Sequence, residues 1–112
     1  MYFVADTEKR QCEINGITVK ERGVYLFRFR ADGDIKWAHA RVDEIDESKI
    51  MLRTCAGMPA IAVPIDDVLE VHGGEAKVEE FGEDIMLSLI RGEIYSESTK
   101  SLLKGDLSLI HI

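Results

Sequence analysis

The pattern of apolar and polar positions is clearest between residues 24 and 42, where an apolar run at residues 24–27 leads into positions that mostly alternate with the period of a β-strand. The dipeptide Asp32-Gly33 interrupts this alternation, and it favours the two-residue turn of a β-hairpin because both positions accept positive φ. The sequence therefore predicts two antiparallel strands joined at this turn, with further strands packed against them.

A two-residue turn also sets which residues face one another across the hairpin. One face then carries large aromatic side chains over alanines and a lysine stem, in the predicted pairs Tyr25–Ala40, Phe27–Ala38 and Phe29–Lys36. The other face is mixed, in the predicted pairs Leu26–His39, Arg28–Trp37 and Arg30–Ile35. A three-residue turn would place Arg30 opposite Lys36, and the repulsion of these like charges argues against it.

Shorter apolar runs predict the rest of a mainly β domain. Three more strands are expected at residues 50–54, 60–63 and 68–72, with one helical turn over residues 64–67. Closing a small sheet into a barrel removes its exposed edges. We therefore predict a five-stranded small β-barrel over residues 14–74, preceded by an N-terminal segment, residues 1–13.

This layout resembles SH3-like barrels, and among them the Sm-like (Hfq-like) family. The matching features are the apolar strand at residues 24–27, Gly33 in the turn, a strand ending in Ile45-Asp46, the apolar strand at residues 50–52, and residues 65–71 at the close. Two features depart from the family pattern: Ala38 and Ala40 replace an expected glycine, and Asp66-Asp67 replaces a Lys-His pair. The resemblance implies a small barrel that forms rings of identical subunits, without the family's residues for binding RNA.

The C-terminal element, residues 75–106, is acidic. Residues 66–112 contain eleven acidic and four basic side chains, whereas residues 1–65 contain ten of each. Apolar residues recur in this element at spacings of three to five, which is typical of an amphipathic helix packed on the barrel. The run IMLSLI at residues 85–90 fits a buried strand equally well. The element is therefore predicted to be either helical or a hairpin.

The last six residues, LSLIHI, are what one frame of a transposon end used in sequencing-library preparation would encode. We therefore predict that residues 107–112 are a non-native tail on a chain of metagenomic origin. Such a tail carries no information about the fold, and we assign no role to His111.

Composition narrows the expected compartment and partners. The N-terminus has no signal-peptide pattern, and no apolar run is long enough to cross a membrane. Cys12 and Cys55 form no disulfide framework, which suits a reducing compartment, so we expect a cytoplasmic protein without a membrane partner. The formal net charge of −7 disfavours broad wrapping of nucleic acid, because neutralising phosphates requires Lys and Arg.

The mixed face of the hairpin is the strongest candidate for a binding site. Guanidinium groups beside an aromatic ring can bind phosphates and nucleobases, and an Arg over a Trp ring can form a cation–π pair. We call this surface the basic-aromatic face; its residues are Arg28, Arg30, Trp37, His39 and Arg41. The alternative is a solvated face on which Arg28 only shields the ring of Trp37.

Patterns for catalysis or metal binding are not found in the sequence. His39 and His72 stand at no recognised metal spacing, and no local feature activates Cys55 as a nucleophile. No phosphate-binding loop or hydrolase motif occurs. We therefore expect a protein that is not an enzyme, with no catalytic residue, no metal and no cofactor.

These observations lead to two functional hypotheses. The first is a small binding protein that captures a nucleotide or a short nucleic-acid segment on the basic-aromatic face, as a homo-oligomer. The second is an acidic inhibitor of a protein target, such as a phage-encoded counter-defence factor, in which the acidic stretch at residues 66–97 imitates a phosphate backbone.

Overall fold

The computed structural model describes residues 10–73 and 81–103 of the 112-residue chain. Residues 1–9, 74–80 and 104–112 lie outside it, and with them most of the predicted N-terminal segment and the whole of the predicted non-native tail. Strands dominate the described residues, which contain a single short α-helix. The prediction of a mainly β chain is therefore confirmed.

The strands follow one another closely along the chain. They are β1 (Gln11–Ile14), β2 (Ile17–Lys20), β3 (Val24–Ala31), β4 (Asp34–Ile45), β5 (Lys49–Arg53), β6 (Ile61–Pro64), β7 (Val68–His72), β8 (Ile94–Ser96) and β9 (Ser101–Leu103). The predicted helical turn is a 3₁₀ turn, Ile65–Asp67, between β6 and β7. The α-helix, α1, spans Glu83–Ile90.

The hairpin of β3 and β4 has the predicted register. Asp32 and Gly33 adopt φ of 56° and 73°, the two positive values of a tight hairpin turn. All six predicted cross-strand pairs are present, from Tyr25–Ala40 to Arg30–Ile35. The aromatic-over-alanine face is buried and forms the centre of the main core, as the steric match predicted.

The five expected strands form one continuous path in the order β6-β5-β4-β3-β7, but the path is not closed into a barrel. β6 and β7 stand at its two ends and do not pair within the part of the chain that the structure describes. The β1–β2 hairpin contributes Cys12, Ile14 and Val19 to the same core as Val63 of β6 and Val71 of β7. The β1–β2 hairpin therefore packs on the same core without extending the hydrogen-bonded path.

The β1–β2 hairpin includes residues 11–13, which the sequence pattern assigns to the N-terminal segment. Its turn is Asn15-Gly16, and the amide Nδ2 of Asn15 donates to the carbonyl oxygen of Leu69 at 2.6 Å. This bond ties the hairpin to β7. Residues 11–13 are therefore part of the folded body.

In the C-terminal element, the run at residues 85–90 is helical, so its interpretation as a buried strand is wrong, and the hairpin lies after it. α1 is the helix, and β8 and β9 pair with each other as a short hairpin. β8 also pairs with β4, at Lys36–Ser96 and Trp37–Tyr95. Met86 and Leu89 of α1 pack on Leu26 and Trp37 in a second core cluster. The mixed face of the hairpin is thus partly covered by the chain's own C-terminal element.

Among the described residues, no helix combines the length and the apolar character needed to cross a membrane.

Candidate functional site

Strand alternation places all five residues of the basic-aromatic face on the same side of β3 and β4. They do not form one continuous site, because the C-terminal element covers part of the face and leaves these residues in three different environments. Arg28 and Trp37 lie at its centre, Arg30 lies near the hairpin turn, and His39 and Arg41 lie at the opposite end.

At the centre, Arg28 is held by two carboxylates. Its Nε donates to Oε2 of Glu97 at 2.8 Å and its Nη2 donates to Oε1 of the same carboxylate at 3.1 Å. Its Nη1 donates to Oε2 of Glu70 at 3.1 Å, and Oε1 of Glu70 lies 2.8 Å from Nε2 of His72. We call Arg28, Trp37, Glu70, His72 and Glu97 the Glu97 cluster.

Trp37 is buried within this cluster, with 6% of its surface exposed. Its Nε1 donates to Oε2 of Glu97 at 2.6 Å. The imidazole of His72 stacks on the indole with the ring centroids 6.0 Å apart, and Phe81 meets the indole edge-on at 5.1 Å. The guanidinium carbon of Arg28 lies 5.9 Å from the ring centroid, so the expected Arg–Trp contact is present.

These contacts change the proton affinities of the two central groups. The hydrogen bond from Arg28 is the main reason that the pKa of Glu97 lies below its usual range, and it outweighs the opposing effect of burial. The same bond raises the pKa of Arg28 above its ordinary value, with a further contribution from Glu70. The cluster therefore holds one fixed cation between two carboxylates.

Near the hairpin turn, Arg30 is exposed, and its nearest acidic partner is Asp67, at 3.9 Å. Beside it, Asp34 accepts hydrogen bonds from the hydroxyl of Ser96 and from the backbone N–H of Ser98, which together lower its pKa far below the ordinary value. Both groups border an open cleft of about 670 Å³; its wall consists of residues 30–35, Asp67, Glu97 and Ser98. The surroundings of Arg30 are therefore mostly acidic.

At the opposite end, Arg41 is paired directly with Arg53 across β4 and β5. Two like charges in this position repel each other. The register shifts between Val42 and Glu44, so Asp43 is the extra residue of a β-bulge. Its Oδ1 accepts from Nε of Arg41 at 3.1 Å and its Oδ2 accepts from Nε of Arg53 at 2.6 Å. The bulge thus inserts a carboxylate between the two guanidinium groups.

The environment of Asp43 acts on its pKa in two directions. Burial alone would raise the pKa, but the hydrogen bonds and positive charge of Arg53 and Arg41 outweigh it and leave the pKa lowered. Two arginines share one carboxylate, so the group keeps a net positive charge. The side chain of Arg41 remains 53% exposed.

A small pocket of about 220 Å³ adjoins these arginines. We call it the Arg41 pocket; it is lined by Val24, His39, Ala40, Arg41, Arg53, Thr54, Cys55, Ala56 and Ile90. Val24 and Ile90 are exposed large apolar residues from two distant parts of the chain. The pocket therefore combines apolar walls with a cationic rim.

Sequence reasoning missed the acidic partners of the face. Nothing in the sequence signals that Glu97 meets Arg28, because the two are 69 positions apart. Arg53 is different, since pairing the predicted strand at residues 50–54 with β4 would have placed it near Arg41. In the described part of the chain, no group of three or more His, Cys, Asp or Glu side chains is placed to hold a metal ion.

No protein-family model matches the chain, and neither curated proteins nor solved structures give a significant match.

Proposed function

We propose that the protein is a non-enzymatic binding protein that captures a nucleotide or a short nucleic-acid segment at the Arg41 end of the basic-aromatic face. The observation that carries this proposal is the net positive pair of Arg41 and Arg53 at the rim of the Arg41 pocket. Guanidinium groups match phosphate geometry, and an exposed arginine can exchange water for a phosphate at little cost in desolvation.

The size and lining of the pocket favour a mononucleotide-sized ligand. Its volume of about 220 Å³ is below the range of typical drug-sized sites, so it suits a single nucleotide unit. The apolar side chains of Val24 and Ile90 offer a wall for a base, with the phosphate directed to the guanidinium groups. The three arginines of the face are then not equivalent, because Arg28 and Arg30 lie among carboxylates.

For the fold, we propose an SH3-like strand arrangement of the Sm-like kind that is open between β6 and β7, and a homo-oligomer as the active form. The strand order β6-β5-β4-β3-β7 and the 3₁₀ turn before β7 support this proposal. Within the described residues, β6 pairs only with β5, which leaves its outer edge available to a second copy. Native mass spectrometry of freshly purified protein tests the oligomer and any retained nucleotide together.

Titration calorimetry with AMP on matched variants tests the site. We expect Arg41→Ala to weaken binding at least about tenfold, the effect of losing one charge-assisted hydrogen bond. Arg30→Ala is the control, since Arg30 is also exposed but lies at the other end of the face. Equal affinities in all three proteins, or the same loss in both variants, would contradict the proposal.

The acidic-inhibitor hypothesis remains as a second candidate, supported by the outer side of α1. Glu83, Asp84, Leu87 and Ile90 are exposed there, so acidic and apolar side chains share one helix surface. A protein partner whose surface carries basic and apolar side chains could dock on such a surface. The variant Glu83→Lys/Asp84→Lys should then lose a target captured from host lysate, whereas Arg41→Ala should retain it. Retention by both variants would eliminate this candidate.

A further inference from the structure

We propose that Arg28 and Trp37 form a second binding site, for the phosphate of a nucleotide, and that the carboxylate of Glu97 occupies this site in the structure. This inference deepens the proposed function and rests on it, because the ligand is of the same class. Glu97 is then an internal competitor that keeps the centre of the basic-aromatic face closed until a phosphate displaces it.

Three N–H donors converge on one anionic group at this site. Nε and Nη2 of Arg28 and Nε1 of Trp37 reach the Glu97 carboxylate at 2.8, 3.1 and 2.6 Å. Oε2 accepts two of these bonds and Oε1 accepts one. A phosphate group presents oxygens at a similar spacing, and a parallel pair of guanidinium N–H groups recognises phosphates and carboxylates alike.

The position of Glu97 in the chain allows its side chain to leave without loss of the sheet. Glu97 directly follows β8, and its backbone N–H donates to the carbonyl oxygen of Ile35 at 2.9 Å. This bond does not involve the carboxylate, so the backbone can stay paired with β4 while the side chain rotates outward. The side chains of Glu97 and Arg28 are 31% and 27% exposed, which leaves the site within reach of solvent.

Other charges near the site limit how strongly it is expected to bind phosphate. Arg28 also pairs with Glu70, and Asp34 lies close enough to Glu97 to raise its pKa slightly against the stronger effect of Arg28. Lys36 pairs with Asp34 at 3.6 Å. Once the side chain of Glu97 has rotated outward, the positive charges of Arg28 and Lys36 nearly cancel the negative charges of Glu70 and Asp34. The phosphate would then be held by the three N–H donors and not by a net positive charge.

A pair of substitutions at Glu97 distinguishes an occupied ligand site from an ordinary structural ion pair. Glu97→Ala removes the competing group and empties the space in front of the donors. Glu97→Gln removes the charge but leaves an amide that fills the same space. An occupied site predicts that Glu97→Ala gains phosphate binding and that Glu97→Gln gains much less, whereas a structural ion pair predicts no gain in either.

Trp37 supplies the readout, because it is the single tryptophan of the chain and its indole N–H gives one resonance in a ¹H–¹⁵N spectrum. We expect inorganic phosphate to shift this resonance in Glu97→Ala at a concentration at least about tenfold lower than in the wild type, consistent with about 1.4 kcal/mol per factor of ten. The double variant Arg28→Ala/Glu97→Ala should show no such shift. A shift that persists in the double variant, or no difference between Glu97→Ala and the wild type, would overturn the inference.

The same titration with acetate and with AMP identifies the ligand chemistry. A response to acetate without a response to phosphate would overturn the phosphate assignment. If Glu97→Ala does not fold by itself, we expect added phosphate to restore the fold, as measured by circular dichroism. Failure of phosphate to restore the fold would also overturn the inference. If Arg41→Ala loses AMP binding but Glu97→Ala gains no phosphate binding, this inference alone is refuted. If Arg41→Ala keeps AMP binding and Glu97→Ala gains phosphate binding, the Arg41 pocket alone is refuted.

Discussion

Arg28 and Glu97 are joined by two parallel N–H···O bonds, of 2.8 and 3.1 Å, although 69 positions separate them in the sequence. The pair links the central hairpin to the segment that follows β8. It also gives the indole of Trp37 its hydrogen-bond acceptor. The carboxylate of Glu97 thus anchors the C-terminal element to the hairpin and also covers the centre of the basic-aromatic face.

The first prediction concerns stability. Arg28→Ala leaves Glu70 and Glu97 without their shared cation in a partly buried setting. We expect the free energy of unfolding, measured by urea denaturation, to fall by about 1–3 kcal/mol, the cost typical of losing hydrogen bonds to charged groups. Arg30→Ala is the matched control, because this side chain is exposed and its ion pair with Asp67 is long, at 3.9 Å. We expect a change within about 0.5 kcal/mol. Similar losses in both variants would mean that the Glu97 cluster contributes no special stability.

The second prediction concerns pH. The pKa of Glu97 is lower in the folded protein than the ordinary value of about 4.3 expected for the unfolded chain. Its contribution to stability is therefore fully present above that ordinary value and is lost as the pH falls through the folded-state pKa. In urea denaturation between pH 7 and pH 3, the wild type should lose more stability than Glu97→Gln. Parallel pH profiles for the two proteins would contradict this account.

The third prediction concerns the turn after α1. Gly92 adopts φ of 104°, and a Cβ added there would lie 2.9 Å from Cβ of Cys55. Gly92→Ala therefore combines backbone strain with overlap, and we expect it to destabilise the protein by about 1–3 kcal/mol. Gly33→Ala separates the two effects, because Gly33 also has positive φ but no atom of the described residues lies within 4 Å of the added carbon. A loss of stability in Gly92→Ala no larger than that in Gly33→Ala would show that the overlap is relieved without cost.

The fourth prediction concerns the two thiols. Cys12 is buried in the main core, and burial raises its pKa, whereas Cys55 is half-buried in the lining of the Arg41 pocket. Iodoacetamide should therefore label Cys55 in the folded protein and label Cys12 only after unfolding. Mass spectrometry of tryptic peptides measures both rates, and equal labelling of the two thiols in the folded protein would contradict this expectation.

A bound nucleotide should also protect Cys55. We expect AMP to slow labelling of Cys55 in the wild type but not in Arg41→Ala, and inorganic sulfate at equal ionic strength is the control for screening. Protection that persists in Arg41→Ala would place the nucleotide elsewhere.

Local sequence was sufficient to predict the centre of the fold. The Asp-Gly turn favours a two-residue loop, and the like charges of Arg30 and Lys36 argue against a three-residue one, so the pairs from Tyr25–Ala40 to Arg30–Ile35 follow from local sequence. The same alternation correctly assigned Phe27 and Phe29 to the core. Closure of the sheet could not be decided in this way, because whether β6 meets β7 depends on the packing of strands that are far apart in the chain.

The surroundings of the basic-aromatic face were decided by tertiary structure alone. Alternation placed Arg28, Trp37 and Arg41 on one side of the hairpin, but it carries no information on what covers that side. The cover comes from α1 and from Glu97, and their approach depends on contacts between segments far apart in the chain. Sequence by itself therefore determined which side chains share a face, because strand periodicity is local. Tertiary structure decided which of them meet a carboxylate and which meet solvent, because burial and charge pairing are set by long-range packing.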